Sequence, residues 1–468
     1  MGHAEVAARG VDAGDIVFQL LPIPFRPAAT LAFGNRRRNV TLGSERRLGV
    51  LSHGSRHPET AMDRDLAPAT PQSVGLKPEG LANIDAYLRD FVDLGALAGA
   101  VTLVARHGKT VHTSVMGKKD IESGEPLAMD TIFRIFSMTK PVTGVAMMIL
   151  LDELLWSPDD PIAKHLPEFE GVRVFDGLDA DGQPKTVAAD SPPTMRELMT
   201  HTAGFSYGFN PEDPLDKLYI DAQVWQSASL ADFTRKLAGL PLAYQPGTKW
   251  VYSLSMDVQA AIIERLSGQS APDFYRTRIF EPLGMVDTAF HTPPQKRARR
   301  ATLYRWSPTQ KKLVVSPSLL GGDHESPPAM ANGGGGLVST AADYAKFAQM
   351  LLNGGEFGGR RIVSAAALNL MMSNHLSDEM IAARHGVGHQ QLRPGFGYGF
   401  NGAVFYDPTL AGVPVGEGTY HWDGAAGTWF WVDPVHDLLY VGLVQLLSET
   451  APPLQKTTQT MMADAIAD

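Results

Sequence analysis

The sequence predicts an α+β protein, an α/β sandwich in which an antiparallel sheet is built from both chain ends, flanked by helices, with a mainly helical domain inserted. Three observations carry that expectation. Strand signals appear early, at Ala98 to Arg106 and Thr110 to Val115, turning at His107-Gly108. They return only from Phe396 onward, at Tyr398 to Phe405, Gly418 to Trp422, Gly427 to Val432 and Leu438 to Leu446. Between them, helical periodicities alternate with long loops rich in Pro and Gly.

Residues 1–65 stand apart. The first 61 hold eight Arg and no Lys against five acidic residues, a basic start to an acidic chain. Ile16 to Phe33 is moderately apolar, but Pro22, Pro24, Arg26 and Pro27 interrupt it too often for a membrane span. Arg36-Arg37-Arg38 resembles a twin-arginine signal only superficially, since no adequate apolar stretch follows. The expectation is a weakly ordered extension, an alternative translation start at Met62 and a cytoplasmic location. After it, Leu81, Ile84, Leu88 and Phe91 mark an amphipathic helix from Leu76 to Leu97. Residues 66–156 and 396–468 are expected to form the sheet domain, and 157–395 the helical one. Helices are predicted there at Met195 to Thr202, Leu230 to Leu237, Met256 to Leu266, Ala341 to Leu352 and Ala365 to Met372. A last helix begins near Pro453.

Of 468 residues, 44% are hydrophobic and 19% charged, enough for a large core and two domains. A formal net charge of −9 leaves no electrostatic footprint for nucleic acid. Neither nucleic acid nor membrane is expected as a partner. With no cysteine, disulfides, thiolate metal sites and a cysteine nucleophile are excluded.

Ser137-Met138-Thr139-Lys140 is the chain's single Ser-x-x-Lys. The β-branched and aromatic run Thr131 to Phe136 precedes it, and an apolar run from Pro141 to Leu151 follows, long enough for a buried helix. Pro141 fits only a first helical turn, which puts Ser137 at the helix start and Lys140 one turn on. A lysine whose pKa falls through burial can take a proton from a serine three residues away. Free N–H groups at a helix start suit a developing oxyanion. A serine cap beside a solvated lysine has the same spacing, but an unpaired ammonium in an apolar run is costly.

Other candidates weigh less. Gly204-Phe205-Ser206-Tyr207-Gly208 has the form of a nucleophile elbow, yet a helix precedes it and turns follow, so Ser206 reads as a loop residue. His201 reads as structural. His385 and His389 have metal-like spacing without a helix or a matching carboxylate, so no metal is expected. Tyr252, after Gln245-Pro246-Gly247, can relay a proton if a nearby ammonium lowers its pKa, or be a core tyrosine. His421-Trp422-Asp423-Gly424-Ala425-Ala426-Gly427 lets backbone approach a ligand closely, or is a plain turn.

In this order, these pieces resemble the serine β-lactamase and penicillin-binding-protein superfamily, nearest its class C branch and the family VIII carboxylesterases. The resemblance runs from about Pro71 to the end. Leu198 to Gly204, Phe280 to Met285 and Gly333 to Thr340 look like further stretches of it. It implies Ser137 as the acylated nucleophile, Lys140 as its base partner, and Tyr252 in the place of the family's Tyr-x-Asn tyrosine. The N–H groups of Ser137 and Ala425 would form the oxyanion hole, with Phe136, Leu254, His421, Trp422 and Gly424 around the substrate. Leu254 stands where β-lactamases have Asn, and Trp422 where they have Lys. Losing a charge-assisted contact worth about 1.5–3 kcal/mol costs roughly ten- to a hundredfold in binding of an anionic substrate. Trp422, Trp429 and Phe430 suggest aromatic walls, although alternation sends some to the core. The expected activity is therefore hydrolysis of short-chain neutral esters, with no cofactor. A β-lactamase or D-amino-acid peptidase is the alternative, and a non-catalytic binding protein on the same fold the rival from another class.

Overall fold

In a computed structural model, residues 64–317, 323–448 and 452–467 are described. The expected extension lies outside them up to residue 63, with Arg36-Arg37-Arg38 and Met62. The first long element is α1 (Pro78–Asp93), which begins at a proline and buries Leu81, Ile84 and Leu88 on one face. The hairpin follows as β1 (Gly99–Arg106) and β2 (Lys109–Gly117). Phe136–Met138 forms a single 3₁₀ turn leading into α2 (Thr139–Asp152), in which every residue from Thr139 to Leu150 is buried. A helix apolar all round has to lie inside the molecule. Further on come α3 (Ser255–Ser267) and α4 (Ala341–Leu352).

The expected strand Tyr398 to Phe405 is instead two short strands, β3 (Phe396–Tyr398) and β4 (Ala403–Phe405), folded on each other. Asn401 makes the turn at φ 60°, a conformation Asn tolerates because its short side chain bonds locally. Gly402 follows because a Cβ there would meet the Tyr420 ring at 2.3 Å. β5 (Thr419–Asp423), β6 (Trp429–Asp433), β7 (Leu438–Leu443) and α5 (Leu454–Ala465) complete the chain. The segment expected to be helical also contains strand pairs that periodicity did not reveal, such as Arg173–Leu178 with Pro184–Ala188 and Tyr304–Ser307 with Lys312–Val315.

The main sheet runs β3-β4-β5-β6-β7-β1-β2, every pairing antiparallel, so strands from the two chain ends meet at β7 and β1. Its central strands are apolar on both faces. Leu439, Val441, Phe430 and Val432 face the large cluster that includes α2 and α4, whereas Leu438, Tyr440, Trp429 and Trp431 face α1 and α5. Period-two alternation therefore sends Trp429 and Phe430 into the two cores rather than to a substrate. Phe430 packs edge-on against Tyr344 at 4.9 Å, and Trp429 lies over Gly442 beside Tyr440. Among the described residues no helix is long and apolar enough to cross a membrane.

At Gly442 a Cβ would sit 2.2 Å from the Trp429 ring. Gly442→Ala should therefore destabilise the fold by about 1–3 kcal/mol through overpacking, read as a lower midpoint in denaturant unfolding. An unchanged midpoint would mean that Trp429 moves freely.

Candidate active site

The turn that presents Ser137 is held from several sides. Before it, Phe133–Arg134 pairs with Val338–Ser339, and Gln445 bonds both the N–H and the carbonyl of Arg134. Phe136 adopts φ 43°, a strained value for a bulky side chain. Its ring is buried with Leu303 and Ala426, which holds that conformation. After it, the Met138 carbonyl accepts from the Tyr344 hydroxyl at 2.8 Å, and Thr139 Oγ1 accepts from Leu337 N–H at 3.1 Å. Ser137 itself remains partly exposed.

Lys140 has no exposed surface. Its Nζ donates to Ser137 Oγ at 3.2 Å, Tyr207 Oη at 3.2 Å and the Gly334 carbonyl at 2.7 Å. The third contact needs the glycine run. A Cβ on Gly334 would lie 3.3 Å from Lys140 Nζ and 3.1 Å from Asp257 Oδ2, and one on Gly333 only 2.3 Å from the Met256 carbonyl. Burial pulls the Lys140 amine well below the ordinary lysine range, while the charges of Asp257 and Asp423 oppose the shift. Asp257, buried in the first turn of α3, accepts from Gly334 N–H at 3.3 Å, and burial raises its carboxyl against the pull of Lys140.

Tyr252 arrives on the loop before α3, and its hydroxyl donates to Ser137 Oγ at 2.7 Å. Its ring lies beneath the amine, 4.6 Å from Nζ to the centroid. The expected lowering of its pKa is reversed. Desolvation raises the phenol, and Asp423 and Asp257 add to the rise, outweighing the hydrogen bonds that favour the phenolate. His201 supports this loop: its Nδ1 accepts from Ser253 N–H at 3.1 Å, and its ring lies 4.8 Å from that of Tyr252. Burial drives His201 well below its ordinary pKa, so it stays neutral.

The far side of the site is the end of β5. Gly424 is pressed against the Ile135 carbonyl, 2.3 Å from where its Cβ would be, and Thr428 Oγ1 donates to that same oxygen at 3.2 Å. This pins β5 to the serine turn. The next residue, Ala425, is exposed, and its N–H donates to no group among the described residues. Trp422 leans on Tyr252 and Tyr398, with ring centroids 5.8 and 5.3 Å apart.

Other residues expected around the substrate are placed differently. Leu254 is wholly buried at the start of α3, and His421 points to the opposite face, stacked on Phe405 at 4.9 Å and bonded to Gln455 at 2.6 Å. Gly424 and Phe136 are packing elements of the turn rather than open walls. Ser206 bonds to Asp216, away from the amine. Its neighbour Tyr207, missed because that stretch was judged by its serine, is the residue that reaches Lys140. Asp257 had a legible signal, a lone acid at the head of an apolar helix, which went unused.

Residues 84–461 match the family described as Beta-lactamase. The chain belongs to the beta-lactamase family. An uncharacterised Mycobacterium tuberculosis protein is 38% identical over 364 residues, 77% of this chain and 88% of that one. Esterase EstB of Burkholderia gladioli is 30% identical over 386 residues, 79% of this chain and 90% of that one. The solved structure of EstCE1, a hydrolase with promiscuous acyltransferase activity, has a TM-score of 0.69 at 27% identity, covering 83% of this chain and 99% of that one. Relatives of that kind agree with the esterase-like branch of the beta-lactamase family, and the chain is a serine hydrolase on this α+β fold.

With its amine desolvated, Lys140 should lose its proton well before the ordinary lysine value of about 10.4. kcat/KM for a short-chain ester, followed by pH-stat, should rise with pH and level off below about pH 9. Asp257→Asn removes a negative charge beside the amine and should move that rise to lower pH. A rise continuing toward pH 10.4 in wild type would show that burial does not tune the amine.

Proposed function

We propose that this protein is a carboxylesterase that hydrolyses short-chain esters through an acyl-enzyme on Ser137. One observation carries the reading: a partly exposed serine oxygen lies 3.2 Å from a buried amine and 2.7 Å from a phenol. In this scheme Lys140, the group whose pKa falls, takes the Ser137 proton as Oγ attacks the ester carbonyl. The carbonyl oxygen becomes an oxyanion between the N–H groups of Ser137 and Ala425. Tyr252, neutral because its pKa rises, gives its proton to the departing alkoxide as the C–O bond breaks, and Lys140 restores it. Water then attacks the acyl-enzyme with the same groups, releasing the acid and regenerating Ser137.

An ester suits the surroundings better than a β-lactam. Exposed Phe209 stacks on Tyr207 at 4.1 Å, Tyr207 on Tyr252 at 5.3 Å, and Tyr252 neighbours Trp422. This row of rings, exposed at Phe209 and otherwise largely buried, gives the side of the site next to Ser137 an aromatic, apolar character. The naming of EstB as an esterase supports the same reading.

A p-nitrophenyl short-chain ester should be hydrolysed faster than a chromogenic cephalosporin, and the reverse order would favour a β-lactamase or peptidase. Ser137→Ala should fall below about a thousandth of wild-type kcat/KM. Tyr252→Phe should lose roughly a hundred- to ten-thousandfold while still folding. A fluorophosphonate should add to Ser137, and no adduct there would favour a binding protein. Full ester turnover by Ser137→Ala would end the proposal.

A further inference from the structure

One guanidinium lies inside the protein without a counter-charge. Arg134, three residues before Ser137, is only 8% exposed. Its Nη1 donates to the Ala301 carbonyl at 3.2 Å and its Nη2 to the Asp323 carbonyl at 3.4 Å. Its Nε is buried with no acceptor among the described residues, and no carboxylate among them pairs with the group. An arginine is almost never buried unless it is paired, because an isolated charge loses its hydration. The nearby acids are engaged elsewhere. Glu325 meets Arg300 at 2.6 Å with one oxygen and lies 3.9 Å from Arg297 with the other, while Asp323 Oδ1 accepts from the Glu325 N–H at 2.7 Å. Burial, and then the charge of Arg300, pull the Arg134 pKa down to about 10 against Glu325 and Asp323. A guanidinium keeps its proton at neutral pH, so an anion is what relieves that pull.

Arg134 also lines a cavity of about 310 Å³, together with Arg297, Arg300, Thr302, Leu303 and Ser316. No Asp or Glu lines it among the described residues, in a chain whose net charge is −9. Its volume falls at the lower end of the roughly 300–1,000 Å³ of small-molecule pockets. We propose that this cavity binds a small phosphate-bearing anion, held by the guanidinium forks of Arg134, Arg297 and Arg300. The three guanidiniums exceed the carboxylates of Glu325 and Asp323 by one charge before any ligand enters. Planar forks suit bidentate contact, and a phosphate group brings three acceptor oxygens where a carboxylate brings two. The remaining volume leaves room for an organic group attached to the phosphate. Leu303 packs on the other side against Phe136 and Ala426, so the cavity backs onto the serine turn, and Ser137 does not line it. The site therefore stands independently of the esterase reading.

Calorimetric titration of the full chain with inorganic phosphate, against chloride at matched ionic strength, tests this. Phosphate should bind at one site with a Kd below about 1 mM, the strength of roughly two charge-assisted hydrogen bonds. Arg134→Met keeps the bulk of the side chain and should weaken that Kd by roughly ten- to a hundredfold. Arg297→Gln, at the exposed rim, should weaken it by a smaller factor, and it decides the matter if Arg134→Met fails to fold. Phosphate should also raise the thermal midpoint of wild type and not that of Arg134→Met. Tighter binding of glycerol 3-phosphate than of inorganic phosphate would make a phosphorylated metabolite the ligand, and equal binding would make it free phosphate; either upholds the site. No saturable phosphate binding by wild type, or a Kd that neither variant changes, overturns it. Ester hydrolysis enters none of these readouts, so failure of one reading leaves the other standing.

Discussion

An amine with no access to water must find its partners inside the protein, and the arrangement around Lys140 follows from that requirement. Leaving an ammonium unpaired in an apolar interior is costly, and pairing it tightly with a carboxylate would hold its proton. Here its three contacts are an alcohol, a phenol and a backbone carbonyl, and Asp257 stands behind Gly334 without a direct ion pair to the amine. Each contact comes from a different part of the chain. Desolvation lowers the amine's affinity for its proton, and two nearby carboxylates limit the fall. The segments that satisfy the lysine are thus the same ones that form the site.

Backbone proximity is the second requirement. Gly333 lets main chain lie against Met256 where a side chain would clash, Gly334 leaves only tight room beside Asp257 and Lys140, and Gly424 does for the Ile135 carbonyl what Gly333 does for Met256. Asn401, in the tight β3–β4 turn, donates to the Lys140 carbonyl at 3.1 Å and bonds Gln259 of α3. One buried amide thereby ties the sheet to α2 and α3 at the level of the amine. Fixing these groups before substrate arrives is what allows dipoles to act on a transition state without reorganising.

Burial also separates the two titrating partners of Ser137. The same loss of water lowers a cationic acid and raises a neutral one, so Lys140 and Tyr252 move in opposite directions. In the proposed mechanism this divides the labour between a base and a proton donor. The sequence suggested instead a phenol lowered by a neighbouring ammonium, because spacing shows which groups are near but not how dry they are.

The sequence by itself determined the parts whose signals are local. The apolar run after Lys140 was long enough for a buried helix, Pro141 set its first turn, and strand signals at both ends of the chain suggested one shared sheet. The Ser-x-x-Lys spacing, Tyr252 and the small residues after Trp422 were legible as candidates for the same reason. Tertiary structure decided everything that depends on which face a residue turns and which distant segment meets it. His421 and Leu254 looked like substrate contacts until alternation along β5 and the start of α3 sent them into the interior. Tyr207 and Asp257 joined the amine only through folding, across 67 residues of chain in the case of Tyr207. Local periodicity records the neighbour three or four residues away, whereas the pKa of a buried group is set by partners that chain order does not bring together.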